Sequence, residues 1–228
     1  MNKKFRLIHG FYPFMAIIFL NAFVDLNHKI LIADTLYKTI NDSSALASLL
    51  AVLNALVLVP YILFFTPSGF VADHFSKVKV IRITAAAAIP ITLGITFCYY
   101  QGQLWTAYMG TLLLSIQSAF NSPAKYGYIK ELFGKDCLAK ANALVQPLII
   151  IAILFGTLLP TIGFQVILNN AHLQTMTPEA ILTAIAPLGW VMVLLSCAET
   201  AFAHMLPEYP AADPKSTFKI KDYLKARY

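Results

Sequence analysis

The chain has 228 residues, of which 58% are hydrophobic and only 12% are charged, and its formal net charge is +6. A soluble domain carries about 25% charged residues, so this composition excludes an ordinary soluble protein and predicts a surface solvated largely by lipid. The positive charge does not indicate nucleic-acid binding, because membrane proteins concentrate basic residues in their loops. The three cysteines are far apart and predict neither a metal site nor a disulfide framework.

Six apolar runs approach the roughly 20 residues that a membrane-spanning helix needs. They cover residues 12–37, 45–71, 81–100, 104–119, 141–168 and 181–205. Each run must be helical, because lipid offers no hydrogen-bond partners to an open backbone. Polar stretches separate several of them, such as 41–44, 101–103 and 169–178. We therefore predict an all-α membrane protein with six transmembrane helices.

The basic residues predict the orientation of these helices. If the loops alternate sides, 15 of the 17 lysines and arginines fall on one side of the membrane. The positive-inside rule then places both termini in the cytoplasm. A cleaved signal peptide is the alternative for the N-terminus, but the first apolar run is too long for one and contains Asp25.

Six helices with both ends in the cytoplasm resemble one half of a major facilitator transporter, in which substrate binds between two six-helix halves. Residues 1–210 are expected to form such an N-terminal half, and residues 211–228 a basic cytoplasmic tail or central linker. The chain is then expected to be a fragment of a longer protein, or a half that binds a separate C-terminal six-helix half.

The first span carries four polar residues at helical spacing: Asn21, Asp25, His28 and Lys29. The spacing places them on one face, where they would line a cavity. Ionisable groups at mid-bilayer cost roughly 2.5–3.5 kcal/mol each, so we expect a role in substrate binding. Asp25 and Lys29 are four residues apart, which predicts an ion pair along the helix. The alternative is a buried pair that only packs helices together.

The loop after the second span contains Gly69, Asp73 and Lys77, in a pattern that resembles the major facilitator signature G-x-x-x-D followed by basic residues. Gly69 is expected to allow close helix approach, and Asp73 to latch the cytoplasmic ends of helices. Lys77, with Lys79, is expected to set topology and to contact anionic lipid. The alternative is that these are ordinary loop residues.

The segment Pro123–Gly127 reads P-A-K-Y-G. Pro123 is expected to end the fourth span, since proline lacks a hydrogen-bond donor, and Gly127 to permit a tight bend. Lys125 and Tyr126 would then lie at the lipid headgroups, as headgroup ligands, as a gate or as interfacial anchors. In the sixth span, Glu199 is expected to face the cavity, as a proton-coupling group or as a partner of Lys29.

The longer pattern P-A-K-Y-G-x-x-x-E-L, completed by Glu131 and Leu132, resembles the lysophospholipid transporter family of the major facilitator superfamily. This resemblance implies that the protein moves lysophospholipid to the inner leaflet of a bacterial inner membrane for re-acylation. It also implies membrane lipids as partners. Some members are fused to acyltransferase and acyl-ACP synthetase domains, so such enzymes are further partners that the resemblance implies.

Two alternatives to this interpretation stay open. The chain could belong to a major facilitator transporter of another small solute or a drug, or it could be a non-transporting membrane anchor of an acyltransferase. The sequence contains no phosphate-binding glycine loop, nucleophile elbow or metal-spaced set of His and Cys. We therefore expect neither enzymatic activity nor a cofactor in these 228 residues.

Overall fold

A computed structural model of the protein describes residues 10–171 and 173–214, without the side chain of Lys135. The basic residues expected at the N-terminus (Lys3, Lys4 and Arg6) and most of the expected tail, residues 215–228, lie outside the described residues. The predicted orientation depends on these residues and stays a prediction.

The described part of the chain forms seven α-helices and one short 3-10 turn. The helices are α1 (Phe11–Thr39), α2 (Ser43–Leu63), α3 (Phe65–His74), α4 (Lys77–Tyr100), α5 (Leu104–Phe133), α6 (Leu138–Ala171) and α7 (Pro178–His204); the turn is Lys135–Cys137. Local capping interactions explain where two of these helices begin. Asp42 caps α2 by accepting the N–H of Ser44 at 2.9 Å, which lowers the pKa of its carboxyl. Thr177 caps α7, and proline occupies the first turn of that helix.

Five of the helices are long and apolar enough to cross a membrane: α1, α2, α4, α6 and α7. The fourth predicted span is present as α5, which has 30 residues. Because of its polar residues, α5 is less apolar than those five helices, so its crossing of the membrane and the total of six spans stay predictions.

The second predicted span, 45–71, is not one helix. It divides at Phe64 into α2 and the ten-residue α3. The carbonyl of Leu63 would need an N–H from residue 67, and Pro67 has none, so the hydrogen-bond ladder is interrupted there. The N–H of Phe64 still bonds the carbonyl of Pro60 at 2.9 Å, and the chain continues as a helix after the break.

The helices bury two hydrophobic clusters at opposite ends of the bundle. One contains Phe14, Ile81, Tyr128 and Phe133, and the other contains residues such as Leu36, Tyr99 and Ile185. On α1 the first cluster ends at Ile18 and the second begins at Val24. The polar residues of α1 therefore begin between two apolar layers, well inside the bundle.

Small residues allow the closest helix contacts. A Cβ added at Gly189 of α7 would lie 2.6 Å from the hydroxyl oxygen of Thr96 on α4 and 2.9 Å from its Cβ. A Cβ at Gly156 of α6 would lie 3.2 Å from the backbone of Phe23 on α1. Interfaces built on small residues are typical of helices that associate in lipid.

Two helices leave most of their surface uncovered. Only 11% of the most apolar stretch of α2 and 22% of that of α6 is buried within the chain. Exposed side chains include Leu58 and Ile62 on α2, and Leu154 and Leu158 on α6. In water this much apolar surface would be unfavourable, at roughly 25 cal/mol per Å². These faces are suited to lipid or to another apolar protein surface.

Candidate functional site

A cavity of about 240 Å³ lies between α1, α2, α5 and α6. One part of its wall is polar and the other is apolar. The polar residues are Asn21, Asp25, Tyr61, Ser122 and Lys125; the apolar residues include Ile18, Val57, Ile129, Val145, Ile149 and Ile153. A ligand that fits such a wall has a polar or charged end and a hydrocarbon portion.

Lys125 of α5 connects the polar side of this cavity to α1. Its ammonium donates a hydrogen bond to the side-chain oxygen of Asn21. Asp25, one turn further along α1, accepts a hydrogen bond from the hydroxyl of Ser118 on α5. The amide nitrogen of Asn21 lies 3.4 Å from the same hydroxyl, so α1 and α5 are joined by a small polar network.

Glu199 of α7 completes the charged group. It is fully buried and lies beside Lys125, Asn21 and Asn121. Lys125 interacts electrostatically with both Glu199 and Asp25, so two carboxylates share one cation. The two carboxylate oxygens of Glu199 and both polar atoms of the Asn121 side chain make no well-formed hydrogen bond with the described residues.

Glu199 was predicted to face the cavity; it is fully buried but does not line the cavity, and the expected partnership with Lys29 was wrong. Its proton-coupling role stays a prediction. Glu199 interacts with Lys125, and Lys29 is not among its electrostatic neighbours. The predicted ion pair between Asp25 and Lys29 is also not formed. Helical spacing brings the two residues one turn apart, but the carboxylate is engaged by Ser118 from the neighbouring helix.

A second cavity of about 50 Å³ adjoins the first and is lined by Asp25, His28, Lys29 and Thr111, among others. His28 is fully buried, and its Nδ1 lies 2.8 Å from the hydroxyl of Tyr99. The four polar residues predicted on the first span are thus divided: Asn21 and Asp25 line the larger cavity, while His28 and Lys29 line only the smaller one.

Pro123 does not end a helix, contrary to prediction. It lies inside α5, which continues for ten more residues and ends at Gly134, where φ is 76°. One lost hydrogen bond is tolerated in a packed membrane helix, and glycine is the residue that most readily adopts the positive φ found after it. Lys125 and Tyr126 therefore lie within a helix rather than at its end. Tyr126 is 52% exposed at the cavity wall, and Lys125 is directed into the polar network.

The bend expected at Gly127 and the lipid contact expected of Lys77 were also wrong. Gly127 makes no bend; it lies in α5, and a Cβ there would be 2.6 Å from Cε of Lys77. The stem of Lys77 crosses this gap, and its ammonium lies 2.7 Å from the carboxylate of Glu131. The Lys77 side chain is only 7% exposed, so it forms a buried ion pair instead of contacting lipid.

The other two residues of the loop signature are less closely packed. A Cβ at Gly69 would meet nothing within 4 Å, so no neighbouring helix requires glycine there and the expected close approach was wrong. The side chain of Asp73 is exposed. Its carbonyl accepts the N–H of Asp213 at 2.9 Å, which brings the segment after α7 to this loop. The proposed latch through the Asp73 carboxylate stays a prediction.

Sequence reasoning missed the face of α5 that supplies much of the site. Gln117, Ser118, Asn121, Ser122 and Lys125 recur at helical spacing, which was the available signal. The fourth span was predicted to end at residue 119, which assigned the first two of these residues to a helix and the other three to a loop. Tyr61 of α2 was missed as well, since a tyrosine in an apolar run is common at membrane interfaces. Among the described residues, no three His, Cys, Asp or Glu side chains are grouped so that they could hold a metal ion.

The chain is similar in sequence to bacterial proteins named "Lysophospholipid transporter LplT". It is 39% identical over 101 residues to those of Salmonella newport (strain SL254) and Salmonella typhimurium (strain LT2), and 38% identical to that of Salmonella heidelberg (strain SL476). The matched segment covers 42% of this chain and 23% of each relative. No family model matches the chain, and no solved structure matches it. The apolar helices and these relatives together identify a multi-pass membrane protein.

Proposed function

We propose that this chain is the N-terminal six-helix part of a lysophospholipid transporter with the major facilitator fold. The observation that carries the proposal is Lys125, a cation inside the bundle at the polar end of an otherwise apolar cavity. A lysophospholipid has one charged headgroup and one acyl chain, which is the chemistry that this wall fits. The name of the similar proteins supports the same substrate class.

In the proposed binding mode, the ammonium of Lys125 contacts the headgroup phosphate. Amines and phosphate oxygens form charge-assisted hydrogen bonds, which are stronger than neutral ones. Asn21, which already bonds Lys125, holds the amine toward the cavity. Asp25 and Glu199 offset part of the cost of burying the Lys125 ammonium, because an unpaired cation in the bundle would be costly. The acyl chain lies against Ile149 and Ile153 of α6.

The cavity is proposed to be completed by a second six-helix half that covers α2 and α6. Those helices have the most exposed apolar surface, and substrate sites in such transporters lie between two halves. The activity is then delivery of lysophospholipid to the inner leaflet of a bacterial inner membrane, for re-acylation by a separate or fused acyltransferase or acyl-ACP synthetase. We propose no enzymatic activity for the chain itself.

The proposed orientation has both termini in the cytoplasm. In a variant without Cys98, Cys137 and Cys197, a cysteine introduced at Gln174 should react with an impermeant reagent added outside the cell membrane. A cysteine at Asp136 should react only after permeabilisation. Labelling of position 174 solely from the cytoplasmic side would contradict the proposed topology.

The function is tested by uptake of labelled lysophospholipid, normalised to the amount of inserted protein, in cells expressing the intact gene for this chain. We expect Lys125→Ala to lower uptake about tenfold or more, since a charge-assisted hydrogen bond contributes roughly 1.5–3 kcal/mol. Lys125→Arg should retain part of the activity, because the charge is kept but its shape is changed. Lys130→Ala, an exposed lysine on the same helix, is the matched control.

The result also separates the alternatives. A major facilitator transporter of another solute would show no competition between that solute and lysophospholipid, and no uptake of the lipid in any variant. A membrane anchor would show no uptake at all, while loss of Lys125 would appear only as less protein in the membrane. Unchanged uptake per molecule in Lys125→Ala would contradict the binding mode.

A further inference from the structure

A second concave surface lies on the outside of the bundle, away from the polar cavity. It is a groove of about 430 Å³ between the end of α3, the start of α4 and the middle of α5. Its lining is Val71, Phe75, Lys79, Val80, Ile83, Thr84 and Phe120. We propose that this groove, here called the α4 groove, binds an anionic phospholipid of the bilayer, with the phosphate at Lys79 and an acyl chain along α4.

The apolar part of the α4 groove suits a hydrocarbon chain. Ile83 is 60% exposed and Phe75 is 43% exposed, so apolar surface is presented outward. The hydroxyl of Thr84 is already bonded to its own helix, at 2.9 Å from the carbonyl of Val80. Apart from Lys79, the groove therefore offers no unused polar side chain.

The charge lies at one end of this surface. Lys79 is the third residue of α4, whereas Ile83 and Thr84 lie four and five residues further along the helix. At 1.5 Å per residue, the groove extends roughly 6–8 Å from the charge toward the middle of the span. A bilayer phospholipid has the same order, with its charged headgroup at the membrane surface and its hydrocarbon chains further in.

The neighbouring cations are already paired, which makes Lys79 the available one. Lys77 bonds Glu131 at 2.7 Å, and Arg82 bonds Glu208 at 3.2 Å. Within residues 10–171 and 173–214, Lys79 forms no ion pair; its ammonium lies 5.9 Å above the ring of Phe75. That contact holds the charge at the mouth of the groove. An uncompensated cation favours a headgroup with net negative charge over a zwitterionic one.

The proposal is independent of the transported substrate, because none of the groove residues lines the polar cavity. It is tested with the purified 228-residue chain in phosphatidylcholine vesicles that contain a trace of phosphatidylglycerol with a photoreactive acyl chain. Cross-linked residues are mapped by mass spectrometry. We expect labelling around Ile83 and Phe120, and displacement by unlabelled phosphatidylglycerol but not by phosphatidylcholine.

Lys79→Gln should lower this labelling about fivefold, which is the effect of losing one lysine–anionic lipid attraction. Lys79→Arg should preserve it. Lys140→Gln is the matched control, because Lys140 is exposed and is likewise the third residue of its helix. The thermal unfolding temperature of each variant shows whether it is folded. Equal labelling in Lys79→Gln, equal labelling by a photoreactive phosphatidylcholine, or no labelling within the groove would each overturn the proposal.

Discussion

The ammonium of Lys125 on α5 bonds the side-chain oxygen of Asn21 on α1, inside the membrane-spanning bundle. The two residues are 104 positions apart in the sequence. This contact brings the lysine of the P-A-K-Y-G segment into the same network as Asp25 and Glu199. The segment that was predicted to lie at the membrane interface is therefore part of a polar network inside the bundle.

Asp25 should be required for transport, because it is one of the two counter-charges of Lys125. We expect Asp25→Asn to lower lysophospholipid uptake per inserted molecule about tenfold or more. Asp34→Asn is the matched control: Asp34 is also on α1, but it accepts a hydrogen bond from Thr161 at 3.0 Å and does not line the cavity. Normal uptake by Asp25→Asn, or equal loss in both variants, would contradict this role.

The buried ion pair between Lys77 and Glu131 should stabilise the contact of α4 with α5. Lys77→Met leaves the Glu131 carboxylate without its partner, which should destabilise the fold by about 3–5 kcal/mol. Adding Glu131→Leu should recover much of that loss, since no unpaired charge then remains buried. Unfolding in detergent measures both variants, with Lys130→Met as the exposed control. A double variant less stable than Lys77→Met would show that the pair is not coupled in this way.

Replacement by alanine should have opposite effects on stability at two of the glycines. Gly189→Ala forces a methyl group against Thr96, a fully buried residue on α4, and should cost about 1–3 kcal/mol by overpacking. Gly69→Ala meets open space in a helix and should be neutral or stabilising by up to about 1 kcal/mol. Thermal unfolding compares the two. Combining Gly189→Ala with Thr96→Ala should restore stability, and failure to do so would place the strain elsewhere.

Arg82 should hold the segment after α7 against the bundle. Its guanidinium donates to the carbonyl of Ala203 and to that of Leu206, each at 3.1 Å, and to the carboxylate of Glu208. Lys has no planar fork and cannot make all these bonds together, so Arg82→Lys should increase hydrogen exchange in residues 205–213 several-fold. Exchange at the loop between α2 and α1, residues 40–42, is the internal control. Unchanged exchange after α7 would mean that other contacts, such as Tyr128 to Pro207, are sufficient.

Local sequence determined most of the helical architecture. The turns near Asn41 and Gly102 lie where the sequence predicted them. Burial of Glu199 also followed from its position in an apolar run. These features depend on hydropathy and on short-range hydrogen bonding, which neighbouring residues decide.

Long-range packing decided which polar groups meet. Asp25 and Lys29 have ideal spacing on α1, but the nearest donor to Asp25 belongs to Ser118 on another helix. The helix α5 continues through Pro123 because a packed helix tolerates one lost hydrogen bond. The second predicted span is instead interrupted at Phe64, because Pro67 lacks the N–H that the preceding turn needs. The partners Lys77 and Glu131 are likewise brought together only when α4 packs against α5 over Gly127. Since a helix fixes only the direction of a side chain, the identity of its partner is decided by the neighbouring helix that packs there.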